Sequence, residues 1–109
     1  MNTLNQTLEF IEWLSKLRNL QAKRRINARL ITAAHGNFGD HRYLREGVNE
    51  MRIGGYRVYY AQEGNEVYLL LFGGDKDSQD RDIARAVKMW EAIQAGETRQ
   101  HEENQSTPE

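Results

Sequence analysis

Apolar residues recur every three or four positions in the first third of the chain, and this spacing predicts two helices. Thr7 can cap the first helix, which we expect to end near Arg18-Asn19. The second helix begins at about Leu20 and ends at the turn-forming segment 36–40. The first apolar stripe contains Phe10, Trp13, Leu14 and Leu17, and the second contains Ala22, Ile26, Leu30 and Ala33. Joined by a short link, these elements predict an αα-hairpin, and residues 3–8 form a possible short leading strand.

From His41 onward the apolar pattern changes to the period of two that is typical of β-strands. Residues 48–53 and 56–62 predict two strands joined by the turn Gly54-Gly55, a form that tight β-hairpins favour. Residues 66–72 follow, and because they are apolar on both faces we expect this strand to be central in the sheet. A short strand at residues 43–45 is also possible.

The last regular element is a helix with an apolar stripe that contains Ile83, Val87, Trp90 and Ile93. The order of elements predicts a single α+β domain over residues 1–95. We expect an antiparallel twisted sheet of three to four strands, with an N-terminal helical hairpin and a C-terminal helix packed on one face. Residues 96–109 are polar, acidic and without period, so we expect a disordered acidic tail there.

A two-residue turn at Gly54-Gly55 fixes which side chains oppose each other across the hairpin. One face is apolar and contains Met51, Ile53, Tyr56 and Val58. On the other face Arg52 opposes Arg57, and Glu50 opposes Tyr59. Like charges directly opposite each other destabilise a sheet. The two arginines therefore suggest a third party, either an anion or a carboxylate that both can bind.

Composition limits the class of protein. The 109 residues contain no cysteine, so neither a disulfide framework nor a cysteine-based zinc site is expected, and no other metal or cofactor is indicated. The sequence has no apolar run of about 18 residues and no signal pattern, so we expect a cytoplasmic protein without a membrane span. The net charge is −1, but four acids and one base lie beyond Gly96. The rest is mildly basic, which is too weak to imply nucleic-acid binding by itself.

Six short motifs occur in a fixed order between about Leu8 and Ala95. They are Phe10-Ile11-Glu12-Trp13-Leu14, Arg25-Ile26-Asn27-Ala28-Arg29-Leu30, Gly36-Asn37-Phe38-Gly39-Asp40, Val48-Asn49-Glu50-Met51-Arg52-Ile53, Gly55-Tyr56-Arg57-Val58-Tyr59-Tyr60 and Leu69-Leu70-Leu71-Phe72-Gly73-Gly74-Asp75-Lys76, with Gln79 and Asp82-Ile83 close behind. Together they resemble the RelE/ParE superfamily of bacterial toxins, and within it the HigB-like branch of addiction-module killer proteins.

This resemblance implies a RelE-like fold and the toxin of a type II toxin–antitoxin module, which cleaves mRNA in the ribosomal decoding site. It also implies a cognate helix-turn-helix antitoxin that silences the toxin in a hetero-oligomer, with the ribosome and mRNA as the other partners. The superfamily also contains gyrase poisons, so inhibition of DNA gyrase without RNA cleavage is an alternative. A plain RNA- or DNA-binding module without toxicity is a third possibility.

Metal-independent RNA cleavage by 2′-OH attack requires a proton acceptor, stabilisation of the phosphorane charge and a proton donor. Arg57 matches the Gly-Tyr-Arg element of the family and is our first candidate for the clamp on the phosphate. Arg52 is a second phosphate ligand, Lys76 could protonate the leaving oxygen or hold a phosphate, and Glu50 could be the general base. Candidates for contact with RNA or the ribosome are Tyr59, by stacking on a base, and Lys23, Arg24, Arg25, Arg29 and Arg45.

Each of these residues also has a purely structural interpretation. Glu50 could neutralise Arg52 and Arg57 in a surface salt bridge worth about 0–1 kcal/mol. Lys76 could be a solvated loop lysine, and the basic run of the second helix could be a solvated face. The histidines are His35, His41 and His101, and none is expected on the face of the two opposed arginines.

Overall fold

The computed structural model describes residues 1–96, which form five strands and three helices. The strands are β1 (Thr3–Gln6), β2 (His41–Arg45), β3 (Val48–Ile53), β4 (Tyr56–Gly64) and β5 (Val67–Asp75). The helices are α1 (Leu8–Ser15), α2 (Leu20–Ala34) and α3 (Gln79–Gln94), and a short 3₁₀ turn, Lys76–Ser78, precedes α3. The two N-terminal helices and the C-terminal helix occur as predicted, although α1 ends before the expected Arg18-Asn19.

The five strands form one mixed sheet in the order β1-β5-β4-β3-β2. Strand β1 is parallel to β5, whereas all other neighbours are antiparallel. The prediction of an antiparallel, RelE-like sheet of three to four strands was therefore wrong. Strand β1 lies within residues 3–8, where a short leading strand was considered possible, but so short a segment does not indicate which strand it pairs with. Its partner β5 also comes only after two helices and three other strands, so no local signal connects the two.

Helices cover both faces of the sheet, so the prediction that they pack on one face was also wrong. Helices α1 and α2 pack on one face, and α3 packs on the other. The reason lies in β4 and β5, which carry buried apolar side chains on both sides. Burial of apolar surface contributes about 25 cal/mol per Å², so each face of these strands is stabilised by its own layer of helix.

The face under α1 and α2 is apolar and rich in aromatic rings. Its buried residues are Phe10, Ile26, Ala33, Met51, Ile53, Val58, Tyr60 and Leu70. Phe38 stacks on Tyr60, with 5.2 Å between ring centroids. Thr7 caps α1 as predicted, because its hydroxyl accepts a hydrogen bond from the backbone N–H of Phe10. The same hydroxyl donates to the carbonyl oxygen of Leu71 at 2.8 Å, so the cap also ties α1 to β5.

Helix α3 covers only part of the opposite face of the sheet. Its buried residues are Val48, Tyr59, Ala61, Leu69, Leu71, Ala86, Val87, Trp90 and Ile93, with Ile83 packed against them. The predicted apolar stripe of α3 is therefore confirmed. Toward the first turn of α3 the apolar cover gives way to charged side chains from β2, β3 and β4. We call this region the charged end of the α3 face.

Two consecutive glycines near the end of β5 let the helices approach the sheet from both sides. A Cβ atom on Gly73 would collide with the ring of Trp13 on α1. A Cβ atom on Gly74 would collide with the carboxylate of Asp82 on α3. Neither position can hold a larger residue unless a helix or its side chain moves.

Gly96 ends α3 in the left-handed conformation that is common after a helix, with φ of +83°. Its N–H donates to the carbonyl oxygen of Ile93 at 3.0 Å. The remainder of the predicted acidic tail lies outside the described residues. No helix within residues 1–96 is long and apolar enough to cross a membrane.

Candidate anion-binding site

The β3–β4 hairpin has the register that its two-glycine turn predicts. Arg52 pairs with Arg57, and Glu50 pairs with Tyr59. Gly54 has φ of +61°, in the left-handed region that glycine adopts without a steric penalty. Because side chains alternate along a strand, these four residues share the α3 face of the sheet.

Glu50 is the centre of the charged end, and its side chain is fully buried, with 0% exposed. Its Oε2 accepts hydrogen bonds from Nε of Arg52 at 2.9 Å and from Nε of Arg42 at 3.0 Å. Its Oε1 accepts a hydrogen bond from Nε2 of Gln79 at 2.9 Å and lies 3.9 Å from Nε of Arg57. One carboxylate therefore connects three strands with the first residue of α3, and the chain itself supplies the anion that the opposed arginines require.

Around Glu50 positive charge is in excess, because three guanidiniums lie within 4 Å of this one carboxylate. Burial raises the pKa of Glu50, but the hydrogen bonds from Arg52, Arg42 and Gln79 and the charge of Arg42 outweigh this effect. The pKa of Glu50 is therefore held below its ordinary 4.5, and the group is ionised at neutral pH. A carboxylate with a lowered pKa and hydrogen bonds on both oxygens is a weak proton acceptor. This geometry opposes a role as general base.

Arg57 lies deeper than the other two arginines. Its side chain is 13% exposed, against 36% for Arg52 and 53% for Arg42. Its Nη1 donates to the carbonyl oxygens of Gly54 and Tyr56, both at 3.1 Å. Its Nε is buried and has no hydrogen-bond partner within residues 1–96. The hairpin turn therefore fixes this guanidinium through Nη1, while its buried Nε makes no hydrogen bond.

Arg42 and Gln79 belong to the cluster but were not among the predicted site residues. The turn between β2 and β3 contains two residues in left-handed conformation, Glu46 and Gly47. Regular pairing from such a turn would place Tyr43 opposite Glu50. An irregularity in β2 shifts the register, so that Arg42 lies opposite Glu50 instead. We find no local sequence signal for this shift.

Lys76 lies beside the turn of the β3–β4 hairpin. Its backbone N–H donates to the carbonyl oxygen of Gly55 at 2.9 Å, and its side chain is exposed. The neighbouring carbonyl oxygen, that of Gly54, accepts the hydrogen bond from Arg57. The base of the lysine side chain is thus anchored to the same two-residue turn as the guanidinium of Arg57.

A second buried carboxylate, Asp82, borders the cluster from α3. Its side chain accepts a hydrogen bond from the hydroxyl of Ser78 at 2.5 Å, and its Oδ1 lies 3.8 Å from Nε of Arg81. It occupies the space that Gly74 leaves open. The close approach of this end of α3 to the sheet therefore depends on a residue without a side chain.

Tyr59 lies in the core beneath α3 and is 0% exposed. Burial, followed by the negative charges of Glu50 and Asp82, raises the pKa of Tyr59 well above its ordinary 10. Its hydroxyl has no hydrogen-bond partner within residues 1–96. A ring in this position cannot stack on an RNA base, so the structure places Tyr59 outside the set of accessible candidates.

The basic residues of α2 belong to the other helical layer, and two of them hold backbone segments together. Lys23 donates to a carbonyl oxygen at the end of α1 at 3.3 Å. Arg29 donates to two carbonyl oxygens of the turn before β2, at 3.3 and 3.4 Å. The remaining predicted basic contacts, Arg24, Arg25 and Arg45, are exposed. None of the five makes a described contact with Glu50.

The histidines of residues 1–96 lie away from the charged end. His41 pairs with Met51 on β3 and contacts the ring of Phe38, which belongs to the face under α1 and α2. His35 ends α2. His101 lies outside the described residues.

The fold and the site together define the class of this protein. It has a mixed five-stranded sheet between two helical layers, and an arginine cluster lies where one of these layers ends. No family model matches the chain. Over 86 residues the chain is 48% identical to an uncharacterized protein of Haemophilus influenzae (strain ATCC 51907 / DSM 11121 / KW20 / Rd), an alignment that covers 76% of this chain and 87% of the relative. The chain belongs to the same family as that protein.

Proposed function

We propose that this chain is the toxin of a type II toxin–antitoxin module and acts as a ribosome-dependent endoribonuclease on translated mRNA. The observation that carries the proposal is the excess positive charge at the charged end, where three arginines surround one buried carboxylate. The resemblance of the sequence motifs to HigB-like toxins supports the same function. The toxin would work in the cytoplasm, and a cognate helix-turn-helix antitoxin would silence it in a hetero-oligomer.

The arginines would stabilise the charge that develops on the scissile phosphate. Attack by the 2′-oxygen produces a phosphorane with additional negative charge, and donors that are already in place stabilise it without reorganisation. Arg57 is fixed by the hairpin turn before any substrate arrives, and Arg52 adds a second guanidinium on the paired strand. Loss of one such donor typically costs about 10²–10³ in rate, which corresponds to about 2.7–4 kcal/mol.

Two protons move in this reaction. The 2′-hydroxyl loses one as its oxygen bonds to phosphorus, and the 5′-oxygen gains one as the P–O5′ bond breaks, leaving a 2′,3′-cyclic phosphate. In our proposal Lys76 donates the second proton, because its backbone is hydrogen-bonded to the hairpin turn that also holds Arg57 and its side chain is exposed. Both oxygens of Glu50 already accept hydrogen bonds. We therefore assign acceptance of the first proton to the ribosome or to the mRNA itself.

Primer extension on a defined transcript, with and without translating ribosomes, tests this function. Purified protein is expected to produce cuts at codon positions only during translation. Arg57→Ala should lower the cleavage rate by about 10²–10³. The matched control is Arg18→Ala, which removes an exposed arginine from the link between α1 and α2 and should leave cleavage unchanged.

Other outcomes would select other functions. A folded protein that arrests growth but leaves transcripts uncut would exclude the ribonuclease and favour inhibition of gyrase. A folded protein that does not arrest growth would exclude both toxins and leave a nucleic-acid-binding module.

A further inference from the structure

We propose that Glu50 is a positioning residue, whose buried carboxylate holds Arg42 and Arg52 so that their terminal nitrogens form a paired binding site for the phosphates of single-stranded RNA. This inference rests on the proposed function, since it names the part of the same site that binds the RNA backbone. It also assigns a ligand role to Arg42.

The hydrogen bonds of the two guanidiniums support this assignment. Arg42 and Arg52 both bind the same carboxylate oxygen, Oε2 of Glu50, and both do so through Nε. The terminal nitrogens of both groups make no hydrogen bond to other residues of the part of the chain that the structure describes. A guanidinium has five N–H donors in a planar fork, so each group keeps four donors for a phosphate.

The exposed fractions of the side chains show from which side a phosphate can approach the site. Glu50 is 0% exposed, whereas Arg52 is 36% exposed and Arg42 is 53% exposed. The carboxylate therefore lies beneath the guanidiniums and does not compete with solvent-borne anions at the surface. Backbone phosphates can approach the two arginines from the solvent side without displacing Glu50.

The other oxygen of the carboxylate, Oε1, is also held in place. Gln79 donates to Oε1 from the first residue of α3, and Nε of Arg57 lies 3.9 Å from the same oxygen. These contacts define the orientation of the carboxylate, and the carboxylate in turn defines where the two exposed arginines lie. Without it, like charges on neighbouring strands would repel each other.

Positioning and simple neutralisation predict opposite signs for one substitution. Glu50→Gln removes a negative charge beside the arginines, so if Glu50 only neutralises them, binding of RNA should become tighter. If Glu50 positions the arginines, the same substitution should weaken binding although the site becomes more positive. The sign of the change therefore decides between the two roles.

The experiment measures binding of a short single-stranded RNA by fluorescence anisotropy at a series of salt concentrations, without ribosomes. Glu50→Gln is expected to bind about tenfold more weakly, the equivalent of one charge-assisted hydrogen bond, and to show a shallower salt dependence. The control is Glu91→Gln, which removes the same charge from an exposed position on α3 and should bind at least as tightly as wild type. Equal or tighter binding by a folded Glu50→Gln protein would overturn the proposal.

A second variant keeps the proposal testable if Glu50→Gln does not fold. Arg42 is half exposed on the edge strand β2, so Arg42→Ala should preserve the fold. Loss of one phosphate contact should reduce the slope of log K against log salt by about 0.7. An unchanged slope would overturn the role of Arg42. RNA binding that depends on these residues, in a protein that never cleaves mRNA, would reject the proposed ribonuclease while leaving the phosphate site in place.

Discussion

The two faces of the sheet carry different kinds of side chain. The face under α1 and α2 is buried by apolar and aromatic side chains along its length. The face under α3 is apolar at one end and charged at the other. Gly73 and Gly74 show the contrast within one strand, because the first makes room for the ring of Trp13 and the second for the carboxylate of Asp82.

This difference separates the source of stability from the candidate site. Apolar burial stabilises a fold in proportion to area, without dependence on direction or charge. The charged end instead contains groups that are costly to bury, and one of them, Nε of Arg57, has no hydrogen-bond partner within the described residues and lies 3.9 Å from Oε1 of Glu50.

The largest expected effect comes from the apolar face. Phe10→Ala removes a ring that is 0% exposed and contacts Trp13 at 5.8 Å between centroids, so it should lower the free energy of unfolding by about 3–5 kcal/mol. Urea denaturation measures this change. The matched control is Ile11→Ala on the same helix, which is 47% exposed and should cost much less. Similar losses for both variants would mean that the buried ring of Phe10 contributes no more to stability than an exposed apolar side chain of the same helix.

Local chemistry explains which parts of this fold could be predicted. The turn Gly54-Gly55 fixes the register of its hairpin from the sequence alone, and the pairing of Arg52 with Arg57 is as expected. The helical stripes were predictable for the same reason, since a period of three to four residues is a local property. Glu50 was recognised as a charged neighbour of the arginines, although not as a buried one.

Long-range packing explains what could not be predicted. The shifted register of β2 brings Arg42 to Glu50. It depends on an irregularity that no nearby residue indicates. The contact of Gln79 with Glu50 requires α3 to dock on the second face of the sheet. The same docking buries Tyr59, which strand alternation alone assigned to an accessible charged face. The parallel pairing of β1 likewise depends on residues far apart in the chain.

A fall in pH should lower the free energy of unfolding through the charged end rather than through the apolar face. The pKa of Glu50 is lowered in the folded state, so its contribution to stability is fully present above its unfolded value of 4.5. This contribution should be lost as the pH falls from about 4.5 through the lower folded pKa. Urea denaturation between pH 7 and pH 3 should therefore show a decline in wild type that is smaller in Glu50→Gln. An equal decline in both proteins would mean that other carboxylates carry the acid sensitivity, and Glu91→Gln is the control for an exposed one.

The smallest expected effect tests where the apolar part of the α3 face ends. The hydroxyl of Tyr59 is buried without a partner in residues 1–96, so Tyr59→Phe removes an unsatisfied polar group and keeps the ring. The free energy of unfolding should stay constant or rise by up to about 1 kcal/mol in urea denaturation. Tyr43→Phe is the contrasting control, because the Tyr43 hydroxyl accepts a hydrogen bond from the backbone N–H of Gly47 at 3.1 Å, and its loss should be slightly destabilising.

A clear loss of stability in Tyr59→Phe would contradict this assignment. The negative charges of Glu50 and Asp82 already influence Tyr59, since both contribute to its raised pKa. A loss of more than about 1 kcal/mol would mean that the hydroxyl is bonded into the network of these carboxylates in solution. The charged end would then extend beneath α3, and the phosphate-binding arginines would be supported by the core of the domain rather than by the hairpin alone.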